Sequence, residues 1–245
     1  MTQPTSGRWL VAAVLLLAFT FSVWPARGGA TITRQAAAPA ADYSCETAPP
    51  AAATPEMGGM AIGTPMTGMA MDPEFDQLYI DMMIPHHASI VALAQSALPR
   101  LQDERLRGIA QAMIDAQRAE IEELVGYREA FYGSAEPMPM DDHTMGMMAE
   151  AMPSMGSMES MAVEMDADAQ VALFCAAADA DLAFIDLTIP HHESAIGASE
   201  TALAQATREE VRTFAERVIE AQQREIDELL AIRAELVGQG TPTAS

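Results

Sequence analysis

Four of the five histidines stand in two adjacent pairs, His86-His87 and His191-His192, and each pair closes a near-identical octet. The first reads Ile80-Asp-Met-Met-Ile-Pro-His-His87 and the second Ile185-Asp-Leu-Thr-Ile-Pro-His-His192. Imidazole is a borderline metal donor and thioether a soft one, so histidines beside Met82 and Met83 suit copper better than magnesium or calcium. Asp81 and Asp186 add a carboxylate to each octet. On a helix, Met82 and Met83 lie at i−4 and i−3 from His86, whereas His87 continues the apolar stripe of Ile80, Ile84, Val91, Ala94 and Leu98. Adjacent residues diverge by about 100°, so a pair does not easily chelate one ion from an ideal helix. Pro85 lacks an N–H and crowds the Asp81 carbonyl, which predicts a kink or restart that relaxes this limit; otherwise each histidine serves its own site.

The helix after each octet carries a second polar signal. Leu106, Ala110, Met113, Gln117, Glu120, Leu124 and Tyr127 form one stripe, and Val211, Ala215, Val218, Gln222, Glu225, Leu229 and Ile232 form its counterpart. Gln117 and Glu120, like Gln222 and Glu225, occupy positions where a simple bundle places leucine. A buried carboxylate is costly without a partner, so Glu120 and Glu225 require a histidine, an arginine or a metal. A core network in which His and Glu satisfy one another is the competing explanation.

Thioethers recur outside the helices. Ser134 to Met165 contains ten methionines, densest in Pro137-Met-Pro-Met-Asp-Asp-His-Thr-Met-Gly-Met-Met148, and Met57 to Met71 contains five more. Met140, Met145, Met147, Met148 and His143 are candidate ligands for Cu(I) or Ag(I), soft ions that accept few donors. Methionine also serves as an adaptable core filler or an oxidant sink. A filler follows helical periodicity, and only Met82, Met83 and Met113 lie in the predicted long helices, which favours metal for the loops.

The elements that hold these residues come from a duplication. Phe75–Gly133 aligns without a gap on Ala180–Gly238 with 22 identities in 59 positions. The first unit reads as a helix over 76–98 and a second from about Asp103; a short helix from Asp166 carries Cys175 into the second unit, which closes near Gly238. The expected fold is all-α, a four-helix bundle of two antiparallel hairpins with histidines and carboxylates turned inward. Strand patterns, phosphate loops, serine-hydrolase elbows and zinc-protease motifs are absent from the sequence. Di-iron bundles use Glu-x-x-His on two helices, a motif missing here, so an oxidase is the weaker reading.

Residues 1–30 read as a signal peptide or membrane anchor: Arg8, an apolar run from Trp9 to Trp24, then small residues around Ala30. Residues 31–72 are an Ala/Pro- and Met-rich linker, 73–133 the first hairpin, 134–165 a Met-rich linker, 166–238 the second hairpin and 239–245 a tail. A net charge of −22 without a single lysine disfavours nucleic acid and anionic lipid and favours cations as partners. In an oxidising compartment the two cysteines, Cys45 and Cys175, either form a disulfide or supply two thiolates to a soft metal.

Asp76, the octet that follows it, and Ala116-Gln-x-x-Glu120-Ile-x-x-Leu124 on the next helix resemble the family catalogued as domain of unknown function 305. The resemblance spans about Phe75 to Val237. It implies a ferritin-like helical fold and an exported, non-enzymatic protein that binds copper at the periplasm or cell surface, with a copper-handling envelope protein as a partner. The matching positions are Asp81, Met82, Met83, His86 and His87, and then Asp186, His191 and His192. Leu187 and Thr188 depart from the Met-Met of the pattern.

Overall fold

The computed structural model describes residues 43–47 and 74–239, and these are helical with no strand. The terminal segment, the Met57–Met71 run and the tail from 240 lie outside the described residues. The first unit forms α1 (Phe75–Ala97) and α2 (Glu104–Tyr132), and the second forms α6 (Ala180–Gln205) and α7 (Glu209–Gln239). Each pair is an antiparallel hairpin, since Asp81 meets Arg128 while His87 meets Glu120, and Asp186 meets Arg233 while His192 meets Glu225. The hairpins join through α1 and α6, which also run antiparallel: Tyr79 hydrogen-bonds Ser199 at 2.8 Å, and Ser89 meets His191.

Local chemistry sets the ends. Asp103 caps α2 by accepting from the Arg105 N–H, and Gly133 ends it with φ of 77°, a left-handed conformation that favours glycine. The duplicated aspartates cap across the interface instead of along their own helices. Asp76 on α1 accepts from the backbone N–H groups of Thr207 and Arg208 before α7, and Asp181 on α6 accepts from those of Gln102 and Asp103 before α2. Each hairpin therefore supplies the anion that satisfies the other's helix start. Helix α1 runs through Pro85, and α6 through Pro190, with neither helix restarting there.

The segment expected to be a Met-rich linker is instead folded. It contains α3 (Asp142–Ala151), a 3₁₀ turn over Pro153–Met155 and α4 (Met158–Met165), with α5 (Ala167–Ala176) following directly. Asp141, Ser157 and Asp166 cap α3, α4 and α5 through their side-chain oxygens. Met145, Met148, Met152, Met155 and Met161 are buried in the same core cluster as Met82, Met83 and Phe214. These five methionines thus fill the core, in the adaptable packing role that suits an unbranched thioether. Met138, Met140, Met147 and Met165 are only partly buried against that cluster, and Met158 is exposed.

Cys45 and Cys175 form a disulfide across 130 positions, which answers the choice between disulfide and thiolate ligands. Arg100 braces it, donating to Cys45 Sγ and to the carbonyls of Cys175 and Ala177. Replacing both cysteines with serine should lower unfolding stability by about 2–4 kcal/mol, because the bridge limits the unfolded chain's freedom. Urea midpoints before and after the substitution measure this, and an unchanged midpoint would show that the bridge adds nothing.

Candidate metal centre

The hairpin interface brings the four histidines of the two octets together in the core, each at most 2 % exposed. The rings of His86 and His191 face each other across α1 and α6 with centroids 3.8 Å apart. His87 and His192 lie 6.2 and 6.3 Å from their sequence neighbours, ring centre to ring centre. This arrangement uses the repeat directly. Antiparallel packing of two identical octets places the first histidine of each next to the other and the second histidine of each against its own hairpin's second helix.

The hydrogen bonds repeat the same symmetry. His86 Nε2 is 3.0 Å from Ser194 Oγ, and His191 Nε2 is 3.0 Å from Ser89 Oγ. Ser89 and Ser194 each stand three residues after the first histidine of their octet, and each hydroxyl also meets that histidine's carbonyl. The outer pair departs from it: His192 Nε2 hydrogen-bonds Glu225 Oε2 at 2.7 Å, whereas His87 Nε2 lies 3.2 Å from Glu120 Oε2 without a hydrogen-bond partner among the described residues. The Nδ1 atoms of all four rings are buried with no hydrogen-bond partner among the described residues.

Helix α4 breaks the symmetry. The Glu164 carbonyl is 3.3 Å from His191 Nε2 and also accepts from Ser89, while its carboxylate is 3.8 Å from His86 Nε2. An open cleft of about 410 Å³ beside Glu164, Gln170 and Pro190 reaches His191. Burial holds His86 and His191 well below the ordinary histidine pKa, helped by neighbouring imidazoles. Burial likewise raises the Glu164 carboxyl, against the effect of a Ser194 hydrogen bond.

Other sequence candidates go elsewhere. Asp81 is fully buried, with Arg128 Nε 2.7 Å away and the Met138 N–H donating to it, and burial raises its pKa despite both. Asp186 is exposed and pairs with Arg233 at 2.6 Å. Met82 and Met83 are buried in the core cluster. His143 lies on the exposed side of α3, four residues before the partly buried Met147, and Met140 precedes that helix. Ser89, Ser194 and Glu164 are absent from the sequence candidates. The serines carry a readable signal, identity at matched positions of the repeat, whereas nothing in the local sequence sets Glu164 apart from Glu159.

The donor set fits a borderline or soft transition ion: imidazoles with unpartnered nitrogens, and the thioethers of Met82 and Met83 close in sequence. Among the described residues, no three His, Cys, Asp or Glu side chains already form a coordination cage.

A family model described as "Domain of unknown function (DUF305)" matches residues 30–128 and 76–233. The solved structure of CopM in the Cu(II)-bound form superposes with a TM-score of 0.50 at 24% identity, covering 66% of this chain and 97% of that one. A DUF305 protein from Streptomyces coelicolor superposes with a TM-score of 0.50 at 20% identity, covering 66% and 93%. At this identity the likeness is one of fold. No curated protein matches the chain.

Proposed function

The chain belongs to the DUF305 family, and from that premise we propose that it is an exported, non-enzymatic copper-binding protein that sequesters or passes on Cu(I), and also accepts Ag(I), through His and Met. The helices form a ferritin-like four-helix arrangement in which His86, His87, His191 and His192 supply the core donors. Met138, Met140, Met147, Met158 and Met165, with His143, supply outer ones. Metal ions are the partners, together with an envelope protein that delivers or receives them. The observation that carries this reading is the meeting of four buried imidazoles at the hairpin interface, each with a nitrogen that no group satisfies among the described residues. The described helices include none long and apolar enough to cross a membrane. CopM, solved in a Cu(II)-bound form, supports copper as the ion to test first.

A competitive Cu(I) titration under anaerobic reduction tests the proposal. Replacing the four core histidines with Ala should remove one class of sites. Replacing the five outer methionines with Leu should remove another, while the same change at Met145, Met148, Met152, Met155 and Met161 leaves stoichiometry unchanged. Far-UV circular dichroism checks that each variant stays helical. The second reading, favoured by the Ser, Glu and His contacts, is a polar core network without metal. Absence of tight binding in the unaltered chain would establish it.

A further inference from the structure

We infer that the ion-binding atoms of His86, His191 and His192 are their Nδ1 nitrogens, and that Ser89, Ser194 and Glu225 are positioning residues holding these three rings in the Nε2–H form. This rests on the metal-binding reading above and specifies its ligand atoms.

The assignment follows from counting protons. A serine hydroxyl donates one hydrogen bond and accepts others. Ser194 Oγ is 2.9 Å from the His191 carbonyl and also meets the Glu164 carboxyl, so its proton is directed to an oxygen acceptor. Ser194 Oγ can then meet His86 Nε2 at 3.0 Å only as an acceptor. The same holds for Ser89, whose Oγ lies 2.8 Å from the His86 carbonyl and also against the Glu164 carbonyl, and so accepts from His191 Nε2. His192 points Nε2 at Glu225 Oε2, 2.7 Å away, which accepts when ionised. His87 Nε2, 3.2 Å from Glu120 Oε2, has no hydrogen-bond partner among the described residues and stands outside the assignment. The other three rings therefore carry their proton on Nε2.

A neutral imidazole protonated on Nε2 presents a lone pair at Nδ1. All four Nδ1 atoms are buried without a donor among the described residues. A buried acceptor left unsatisfied costs free energy, and a cation is the group that relieves it. Metal-bound histidines commonly donate their other N–H to a carboxylate, carbonyl or hydroxyl, the pattern found here at three of the four rings. Glu225 thus sits outside the coordination layer. What remains within it is imidazole nitrogen, a donor that suits Cu(I) or Ag(I) better than oxygen-seeking Mg²⁺ or Ca²⁺.

Long-range ¹H–¹⁵N correlation of the ¹⁵N-labelled, metal-free protein reads the tautomers without altering any residue. His86, His191 and His192 should show protonated Nε2 and unprotonated Nδ1. Silver(I), which is diamagnetic, should then shift the Nδ1 resonances and leave Nε2–H in place. Glu225→Gln should bind Ag(I) nearly as well as the unaltered chain, since its amide oxygen accepts the same N–H. Glu225→Leu should weaken binding about 10–100-fold while remaining helical. Equal losses in E225Q and E225L would make the carboxylate a ligand and overturn the assignment. Protonated Nδ1 in the metal-free protein would overturn it too, while leaving the copper reading intact. Correct tautomers with no response of any ring to Ag(I) would overturn the assignment and the copper reading together.

Discussion

Acidifying the metal-free chain should weaken its fold below pH 6.5 with a slope that approaches about 2.7 kcal/mol per pH unit about one unit lower, the sum of two histidines at about 1.36 kcal/mol each. His86 and His191 are fully buried or nearly so, and burial holds their pKa well below the ordinary value. A second proton would have to sit on Nδ1, which no acceptor meets among the described residues. Below pH 6.5 the unfolded chain binds protons at these histidines and the folded chain does not, so stability is complete above that pH and falls as pH drops toward the folded values. The groups facing the pair are His87 on α1, His192 on α6 and Glu164 on α4. Glu164 and the more distant Asp81 have raised pKa values and act in the opposite sense, taking up protons in the folded state before the unfolded one. The loss should therefore steepen as pH falls below 6.5 and flatten once those carboxyls protonate. Urea unfolding with a chelator present at pH 7.5, 6.5 and 5.5 measures the slope, and His191→Asn should reduce it to about half. A midpoint independent of pH across that range would show that the rings protonate freely in the fold.

The repeat made much of this legible. Apolar spacing and the gapless alignment placed four long helices, and the stripe positions of Glu120 and Glu225 called for a partner that histidine supplies. The cross-interface caps by Asp76 and Asp181 are also encoded as a matched pair, yet their target is an N–H on another helix, which no local pattern specifies. The middle segment was harder. Met145, Met148, Met152 and Met155 recur at steps of three, four and three, a helical stripe, but Gly146, Pro153 and Gly156 interrupt it and lower helix propensity. Tertiary burial of the thioethers outweighs that propensity. Glu164 depends on the same packing, because its place over His86 and His191 exists only once α4 has docked.

Burial also separates two ion pairs that the repeat makes equivalent, and so predicts unequal consequences for one substitution. Arg128 and Arg233 align, as do Asp81 and Asp186. Asp81 is wholly buried and Arg128 nearly so, whereas the Arg233 and Asp186 side chains are 42% and 50% exposed. The difference arises where the chain before α3 covers the first pair, with the Met138 N–H donating to Asp81. Removing Arg128 leaves a carboxylate in the core without its counterion, and such losses cost about 3–5 kcal/mol. An exposed pair is screened by water and contributes at most about 1 kcal/mol. Arg128→Met should therefore destabilise the chain by about 3–5 kcal/mol, and Arg233→Met by no more than about 1. The double change Arg128→Met with Asp81→Leu should recover most of the loss, because an apolar pair needs no counterion; the orphaned Met138 N–H retains a residue of about 1–3 kcal/mol. Denaturant midpoints of the four proteins decide the matter. Equal losses at Arg128 and Arg233 would mean that water reaches Asp81, and no recovery in the double variant would mean that Arg128 acts through its packing over Tyr132, 5.2 Å away, instead of its charge.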